Sequence, residues 1–276
     1  MLFCLAFAPP ALAADEEAGQ VFPGPFDGLG RNFANSFIGL NFGMHMAALA
    51  ATATMTTQDV DSRVHNYFHN HTRWGHAAYP VAILGLAGPV ALFGGLHAAG
   101  RITGNPETVG AAFAVLQSGA LTLGYVTLLK LVVGRPAPHD DYIPSLAPDE
   151  EKLSRTFRPG IYRGGVIAGW PSGHVAVTTA MLSSLVAYYP DSILLKVALV
   201  VGSAGMMLSV SSFKAGGMHW CSDAVAGALF AMPIGFSTGQ GMRRLVLGEK
   251  ARKQSAWFIS PFLRADVTGA VLGRKF

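Results

Sequence analysis

Residues 171–189 read PSGHVAVTTAMLSSLVAYY, a Pro-Ser-Gly-His turn followed by a charge-free apolar run. Such a turn is typical of a helix start, where the first backbone N–H groups lack partners within the helix and can bind an anion. Gly173 lets a phosphate oxygen approach the backbone, and His174 places a titratable imidazole at the same point, where it can give a proton to a departing alcohol. An ordinary helix cap would use the same residues, so this turn alone leaves both interpretations open.

The composition of the whole chain indicates that lipid is its solvent. Hydrophobic residues make up 51% of the 276 residues, and only 13% are charged, against about 25% in a usual soluble domain. Six charge-free apolar stretches approach the ~20 residues that cross a hydrocarbon core as a helix. They are residues 32–58, 74–100, 108–129, 173–189, 197–213 and 224–242. We therefore expect an all-α bundle of six membrane-spanning helices. The last three stretches are rich in small residues, which would also suit a compact soluble helical bundle.

This layout divides the chain into three parts. Residues 1–31 form a signal-like or anchor segment with an N-terminal tail, residues 32–245 the six-span domain, and residues 246–276 a C-terminal tail. Residues 1–14 resemble a secretory signal without its basic region, so a removed signal and an uncleaved anchor both remain open. Polar residues 59–73 carry apolar side chains at roughly helical spacing, which predicts an interfacial helix.

Two further segments carry groups suited to phosphate chemistry. His219 and Asp223 are four residues apart, so they share one helix face. A carboxylate that accepts the imidazole N–H fixes the tautomer and raises the nucleophilicity of the other ring nitrogen. The alternative is a polar helix start that faces water. Lys130 ends the third apolar stretch, where a lysine either extends to the interface or binds phosphate as a point charge.

These segments, in this order, look like the three signature motifs of the type 2 phosphatidic acid phosphatase superfamily, which also includes bacterial acid phosphatases and vanadium haloperoxidases. The family motifs are Lys, six residues, Arg-Pro; then Pro-Ser-Gly-His; then Ser-Arg, five residues, His, three residues, Asp. By motif, the resemblance extends over roughly residues 124–227. It implies a six-helix membrane bundle of that kind.

The resemblance also implies a role for each matching residue. His219 would be the nucleophile that forms a phosphohistidine, Asp223 would orient it, and His174 would be the general acid. The groups that would bind the phosphate oxygens are Lys130, Ser172 and the backbone of Gly173. No metal and no cofactor is implied.

Two motif arginines are missing. Ala137 stands at the arginine position of the first motif and Phe213 at that of the third. Each lost charge-assisted contact is worth about 1.5 to 3 kcal/mol, so losing both uncompensated would cost roughly two to four decades in binding or rate. Arg135 lies two residues before the first vacant position, and we expect it to bind phosphate. Other neighbouring cations that could substitute are Arg155, Arg158, Arg163 and Lys214. We expect an active enzyme in which neighbouring cations replace the missing arginines at the phosphate-binding site.

The motifs all fall at one membrane face if the six spans hold. A basic run follows Met242 on the opposite face, which the positive-inside bias makes cytoplasmic. It consists of Arg243, Arg244, Lys250, Arg252 and Lys253. We therefore expect a multi-pass protein of the bacterial inner membrane with its active site facing the periplasm. An uncleaved, cytoplasmic N-terminus fits this orientation, whereas a cleaved signal with six spans would reverse it.

The expected function is hydrolysis of a lipid phosphomonoester or diphosphate, with the lipid phosphate and the bilayer as partners and no nucleic acid. One alternative is a weakened or inactive member that binds a lipid or a protein partner. Another is a soluble periplasmic acid phosphatase or a vanadate-dependent haloperoxidase. The oligomeric state stays open.

Other histidines favour structural roles. Within 65–76, four histidines have spacings that could hold a metal, but no carboxylate or cysteine accompanies them at matching spacing. A polar interfacial face is the preferred interpretation. His45 lies within the first apolar stretch, where an ionisable side chain is costly, and we expect an interhelical hydrogen bond there.

Overall fold

The computed structural model describes residues 22–71, 73–138, 154–160, 169–213, 217–248, 256–263 and 268–275. Within these residues eight helices and two strands follow one another along the chain. They are α1 (Leu29–Asn35), α2 (Leu40–Thr57), α3 (Val60–Asn70), α4 (Arg73–Ile102), α5 (Pro106–Val132), α6 (Gly173–Tyr188), α7 (Ile193–Ser212), α8 (Cys221–Leu247), β1 (Ala256–Leu263) and β2 (Thr268–Lys275). The signal-like residues 1–14, Arg163 and Lys214 lie outside the described residues.

The long helices begin at local signals in the sequence. At the start of α5, the Asn105 side chain accepts hydrogen bonds from the backbone N–H groups of Glu107 and Thr108, and Pro106 occupies the first turn. Asparagine caps free N–H groups, and proline at the first turn loses no hydrogen bond. Ser192 caps α7 in the same way through the backbone N–H of Leu195.

Helices α6 and α8 form the centre of the bundle and approach closely. A Cβ added to Gly235 or Gly239 of α8 would lie under 3.0 Å from the backbone oxygens of Ala180 and Ser184, respectively, on α6. Near the other end of the contact, Gly227 lies equally close to Ser172 O. Glycines on one face of α8 therefore let the two backbones touch, and this sets the position of the α6 start against the α8 start.

The expected count of six spanning helices is not confirmed. Within the described residues, α4, α5 and α7 are long and apolar enough to cross a membrane, and α1 with α2 would add a fourth span bent by 63°. Helix α6 has only 16 residues. Helix α8 has 27 residues, but many of them are small or polar and are buried inside the bundle. The amino-acid composition of a helix does not show whether other helices or lipid cover its apolar side chains. The apolar helices nevertheless indicate a membrane protein, and large side chains such as Ile83, Leu84 and Val200 are exposed.

Helix α3 occupies most of the segment predicted to be an interfacial helix, so the helical conformation is confirmed and its place at the membrane interface stays a prediction. His45 Nε2 lies 3.0 Å from Ser36 O at the end of α1, which is the expected contact with another helix. All helices and strands described between residues 22 and 248 are helices, whereas β1 and β2 pair as an antiparallel hairpin in the segment that we treated as a tail.

The contact between α6 and α8 gives a stability prediction. We expect Gly235→Ala to lower the free energy of unfolding by about 1–3 kcal/mol, because the new methyl group has no room against α6. Gly205→Ala in α7 is the matched control, since a Cβ at Gly205 meets nothing within 4 Å. Thermal unfolding in detergent should separate the two variants. Equal unfolding temperatures would contradict the close packing of α6 and α8.

Candidate active site

The end of α5, the start of α6 and the start of α8 meet at one place. The backbone N–H of Ser172 donates to Asp223 O at 2.9 Å, which joins the second motif directly to the third. Lys130, in the last turn of α5, donates from Nζ to Gly169 O at 2.7 Å, just before the second motif. Residues that are far apart in the sequence therefore share one site.

The two histidines face each other across this site. The ring centroids of His174 and His219 are 6.5 Å apart, with 63° between the ring planes. A nucleophile attacks from about 3–3.5 Å, and a general acid acts over a hydrogen bond of about 2.6–3.2 Å. The separation of the rings therefore suits a single phosphorus atom between them.

Asp223 is placed to orient His219. Its Oδ2 lies 3.4 Å from His219 Nδ1 and accepts the backbone N–H of Trp220 at 3.1 Å. Burial opposes ionisation of Asp223, but attraction by the Arg135 guanidinium and the contact with the His219 ring outweigh it and hold the pKa of this carboxyl below its usual range. An ionised Asp223 favours the tautomer in which Nδ1 carries the proton and Nε2 carries the free lone pair.

The expected phosphate-binding groups surround the same point. The Oγ of Ser172 is fully buried and has no hydrogen-bond partner among the described residues. Gly173 begins α6, and a Cβ built there meets no described atom within 4 Å. A buried hydroxyl without a partner is costly, so this Oγ is suited to donate to an anion at the helix start. Lys130 is 4% exposed and adds a positive charge beside the pair of imidazoles.

Arg135 does not have the role that we expected. Its Nε donates to Asp223 Oδ1 at 2.8 Å, and its Nη1 donates to Asp61 Oδ2 at 2.9 Å. Its guanidinium also donates hydrogen bonds to the backbone oxygen of Ser154 and to the hydroxyl of Ser222. With a solvent-exposed fraction of 0% and two carboxylate partners, Arg135 lies behind Asp223 and holds that residue instead of phosphate.

The vacant arginine positions are filled by apolar contacts. Ala137 is 6% exposed, and the Phe213 ring packs 4.6 Å from the Tyr79 ring. Among the described candidates for a replacement cation, Arg155 pairs with Asp59 at the surface, and Arg158 is exposed.

Sequence reasoning missed Asp61 and Ser222. Asp61 lies on α3 with 1% of its surface exposed, 161 positions from the serine that it binds. One signal was present, because Asp61 shares a helix face with His65 and Phe68, all of which are buried. A carboxylate on the buried face of a short polar helix requires a partner, which here is Arg135.

Helix α4 forms one wall of the site. Gly85, in the middle of this helix, packs against Met206 of α7, and a Cβ built on it would lie 3.6 Å from His174 Cδ2. Its neighbours Ile83 and Leu84 are exposed by 62% and 63%, respectively. The same turn of α4 therefore contacts the general-acid candidate on one side and is exposed on the other.

Comparison with known families agrees with these motifs. The family model described as PAP2 superfamily matches residues 108–246. This range contains α5 to α8 and both histidines of the site, while Asp61 and Gly85 lie before it. Neither a curated protein nor a solved structure matches the chain.

The burial of His219 has a consequence for acid stability. Burial lowers the pKa of His219 to about 4, although the nearby Asp223 carboxylate acts in the opposite direction. In an unfolded chain the pKa of histidine is about 6.5, so only the unfolded chain gains this proton between the two values. The free energy of unfolding should therefore fall as the pH drops through this range.

We expect His219→Gln to lose part of this acid sensitivity. The measurement is the unfolding temperature in detergent between about pH 7 and about pH 4, which spans the range in which the linkage acts. The exposed His69→Gln is the control and should retain the wild-type pH dependence. An unchanged pH dependence in His219→Gln would show that His219 is not held neutral by burial.

Proposed function

The chain belongs to the PAP2 superfamily, whose members are generally phosphatases, and we propose that it is a membrane phosphatase that hydrolyses a lipid phosphomonoester or diphosphate through a phosphohistidine. The observation that carries this proposal is the 6.5 Å separation of the His174 and His219 rings, with Asp223 behind one of them. The proposal requires no metal ion and no cofactor.

In the first step, the neutral His219 attacks phosphorus through Nε2. A nitrogen–phosphorus bond forms, and the bond from phosphorus to the leaving oxygen breaks with its electron pair on that oxygen. His174 donates a proton to the leaving oxygen, so an alcohol or a smaller phosphate departs. Asp223 stabilises the positive charge that develops on the His219 ring while Nδ1 keeps its proton.

In the second step, water attacks the phosphorus of the phosphohistidine. His174, now neutral, takes a proton from this water and acts as a general base. The nitrogen–phosphorus bond breaks with its electron pair returning to Nε2, and inorganic phosphate leaves. His219 is then regenerated in its original tautomer, which the buried and ionised Asp223 favours.

Stabilisation of the phosphate charge rests on few groups in this chain. Lys130 supplies a positive charge, the Ser172 hydroxyl and the α6 start supply hydrogen-bond donors, and Arg135 acts indirectly through Asp223. Donors fixed before the reaction need no reorganisation as charge develops in the transition state. Because two motif arginines are replaced, we expect slower turnover than in an enzyme that has both of them.

The position of the site supports a lipid substrate and a periplasmic orientation. Asp223 lies in the first turn of α8, while Arg243 and Arg244 lie near its other end, and 27 residues of helix span about 40 Å. Basic residues at the far end favour a cytoplasmic location for that end. The site would then open toward the periplasm at the level of the lipid phosphates of the bacterial inner membrane.

The two histidines give the direct test. Purified wild-type protein should release phosphate from at least one member of a panel containing phosphatidate, phosphatidylglycerophosphate, an isoprenoid diphosphate and a lipid A phosphate. His219→Ala should abolish release, and His174→Ala should lower kcat by about 10²–10⁴-fold, the usual contribution of a general acid. His97→Ala is the control, since His97 contacts Arg101 near the C-terminal end of α4, twelve residues beyond Gly85.

Trapping experiments should confirm the intermediate. Brief reaction with labelled lipid should leave label on the wild-type protein that is stable in alkali and lost in acid, as expected for phosphorus bound to nitrogen. His219→Ala should carry no label. Absence of phosphate release by the wild type from every member of the panel would contradict the proposal.

A non-catalytic role in lipid binding is the second candidate, and the apolar contact of Phe213 with Tyr79 favours it. The two candidates differ in their response to Phe213→Arg. In an active enzyme, one restored charge-assisted contact of about 1.5–3 kcal/mol should raise kcat/KM about ten- to a hundredfold. Phe213→Leu is the control and should change kcat/KM little. Lipid binding without phosphate release in both the wild type and Phe213→Arg would favour the non-catalytic role.

A further inference from the structure

Asp61 is fully engaged at the back of the candidate site. Its Oδ1 accepts the backbone N–H of Ser222 at 2.8 Å, and its Oδ2 accepts the Ser222 hydroxyl at 2.7 Å and Arg135 Nη1 at 2.9 Å. Both Asp61 and Arg135 are at most 1% exposed. Asp61 comes from α3, which precedes the matched residues 108–246.

Arg135 carries this contact forward to the reactive pair. One edge of its guanidinium meets Asp61, while its Nε binds Asp223 Oδ1 at 2.8 Å. This leaves Asp223 Oδ2 to face His219 Nδ1 at 3.4 Å. Three successive buried contacts therefore connect Asp61 to Arg135, Arg135 to Asp223, and Asp223 to the His219 ring.

The geometry points to Asp61 as a positioning residue that acts on the His219 ring through Arg135 and Asp223. Two carboxylates hold the guanidinium from both sides, so Asp223 keeps one oxygen directed at the ring. Around one guanidinium, the two carboxylates leave one negative charge in excess. His219 becomes positively charged when its Nε2 binds phosphorus. The excess negative charge attracts it, and this attraction is strong because the effective dielectric constant of a buried site is low. This inference rests on the proposed phosphohistidine chemistry.

Asp61 also has a structural role, because Ser222 is in the first turn of α8. Its N–H lacks a partner within that helix, and Asp61 supplies one from outside. A variant can therefore lose activity through stability alone. The experiment must include a measurement that depends on His219 and not on folding.

The experiment compares Asp61→Asn with Asp59→Asn in the full chain. The asparagine side chain of the first variant can still accept from Ser222, but it lacks the charge that holds Arg135. Asp59 lies two residues earlier, is 56% exposed and pairs with Arg155 at the surface. We expect Asp61→Asn to lower kcat about 10–100-fold with KM within about threefold, as for an interaction made mainly in the transition state. Asp59→Asn should match the wild type.

A double variant separates positioning from folding. If Asp61 acts through Asp223, then Asp61→Asn combined with Asp223→Asn should be little slower than Asp223→Asn alone. Multiplied losses in the double variant, or wild-type kcat in Asp61→Asn, would overturn the inference. If Asp61→Asn does not fold, then Ser222→Ala provides the milder test, because it removes the hydroxyl that bridges Asp61 and Arg135 and leaves their direct contact in place. We expect a partial loss of kcat and of vanadate affinity in this variant, and wild-type values of both would overturn the inference.

Orthovanadate binding distinguishes failure of this inference from failure of the proposed function. Vanadate forms a bond to the attacking imidazole nitrogen without turnover, so its affinity reports the same ring. We expect Asp61→Asn to weaken vanadate binding at least tenfold, measured by the fluorescence of Trp220 and the other tryptophans, and Asp59→Asn to leave it unchanged. If the wild type releases no phosphate but Asp61→Asn still binds vanadate more weakly than the wild type does, the positioning role is supported and hydrolysis is rejected. Unchanged vanadate affinity in a folded Asp61→Asn would overturn the role of Asp61.

Discussion

The buried guanidinium of Arg135 is the constraint on which the rest of the site depends. It lies just beyond the end of α5 and joins α3, the segment 154–160 and the start of α8 through two carboxylates and two oxygens. A charge with no exposed surface requires such complete pairing, and removing one partner of a buried pair typically costs about 3–5 kcal/mol. The geometry around Asp223 is therefore fixed by the need to neutralise a charge, and a well-oriented imidazole follows from it.

Small residues supply the other half of the arrangement. The glycines of α8 bring its backbone against α6, so the helix start that carries Ser172 and His174 is held beside the one that carries Asp223. Charge pairing orients the nucleophile, while backbone contact sets the distance to the second imidazole. The two effects meet at Asp223, whose carboxylate binds Arg135 and whose backbone oxygen accepts the N–H of Ser172.

Local spacing explains what could be predicted from the sequence. The relation of His219 to Asp223 is one helical turn, and the PSGH turn marks a helix start, so both features could be recognised without coordinates. The partner of Arg135 could not, because Asp61 is 74 positions away and no local rule joins them. An arginine close to a vacant motif position was therefore assigned to phosphate, although its carboxylate partners direct it elsewhere. The count of six spans is not confirmed for a related reason, since helices covered by other helices have the same apolar composition as helices covered by lipid.

The glycine at position 85 bears on the fate of the two products. Beside His174, the wall of the site is the bare backbone of one helix, and the neighbouring side chains Ile83 and Leu84 face outward. In the proposed reaction, the newly protonated alcohol forms at this wall and remains with the hydrocarbon, whereas the free phosphate is too polar to follow it. An alcohol that leaves toward the lipid is less available to attack the phosphohistidine, so the bare wall at Gly85 would favour transfer of the phosphoryl group to water.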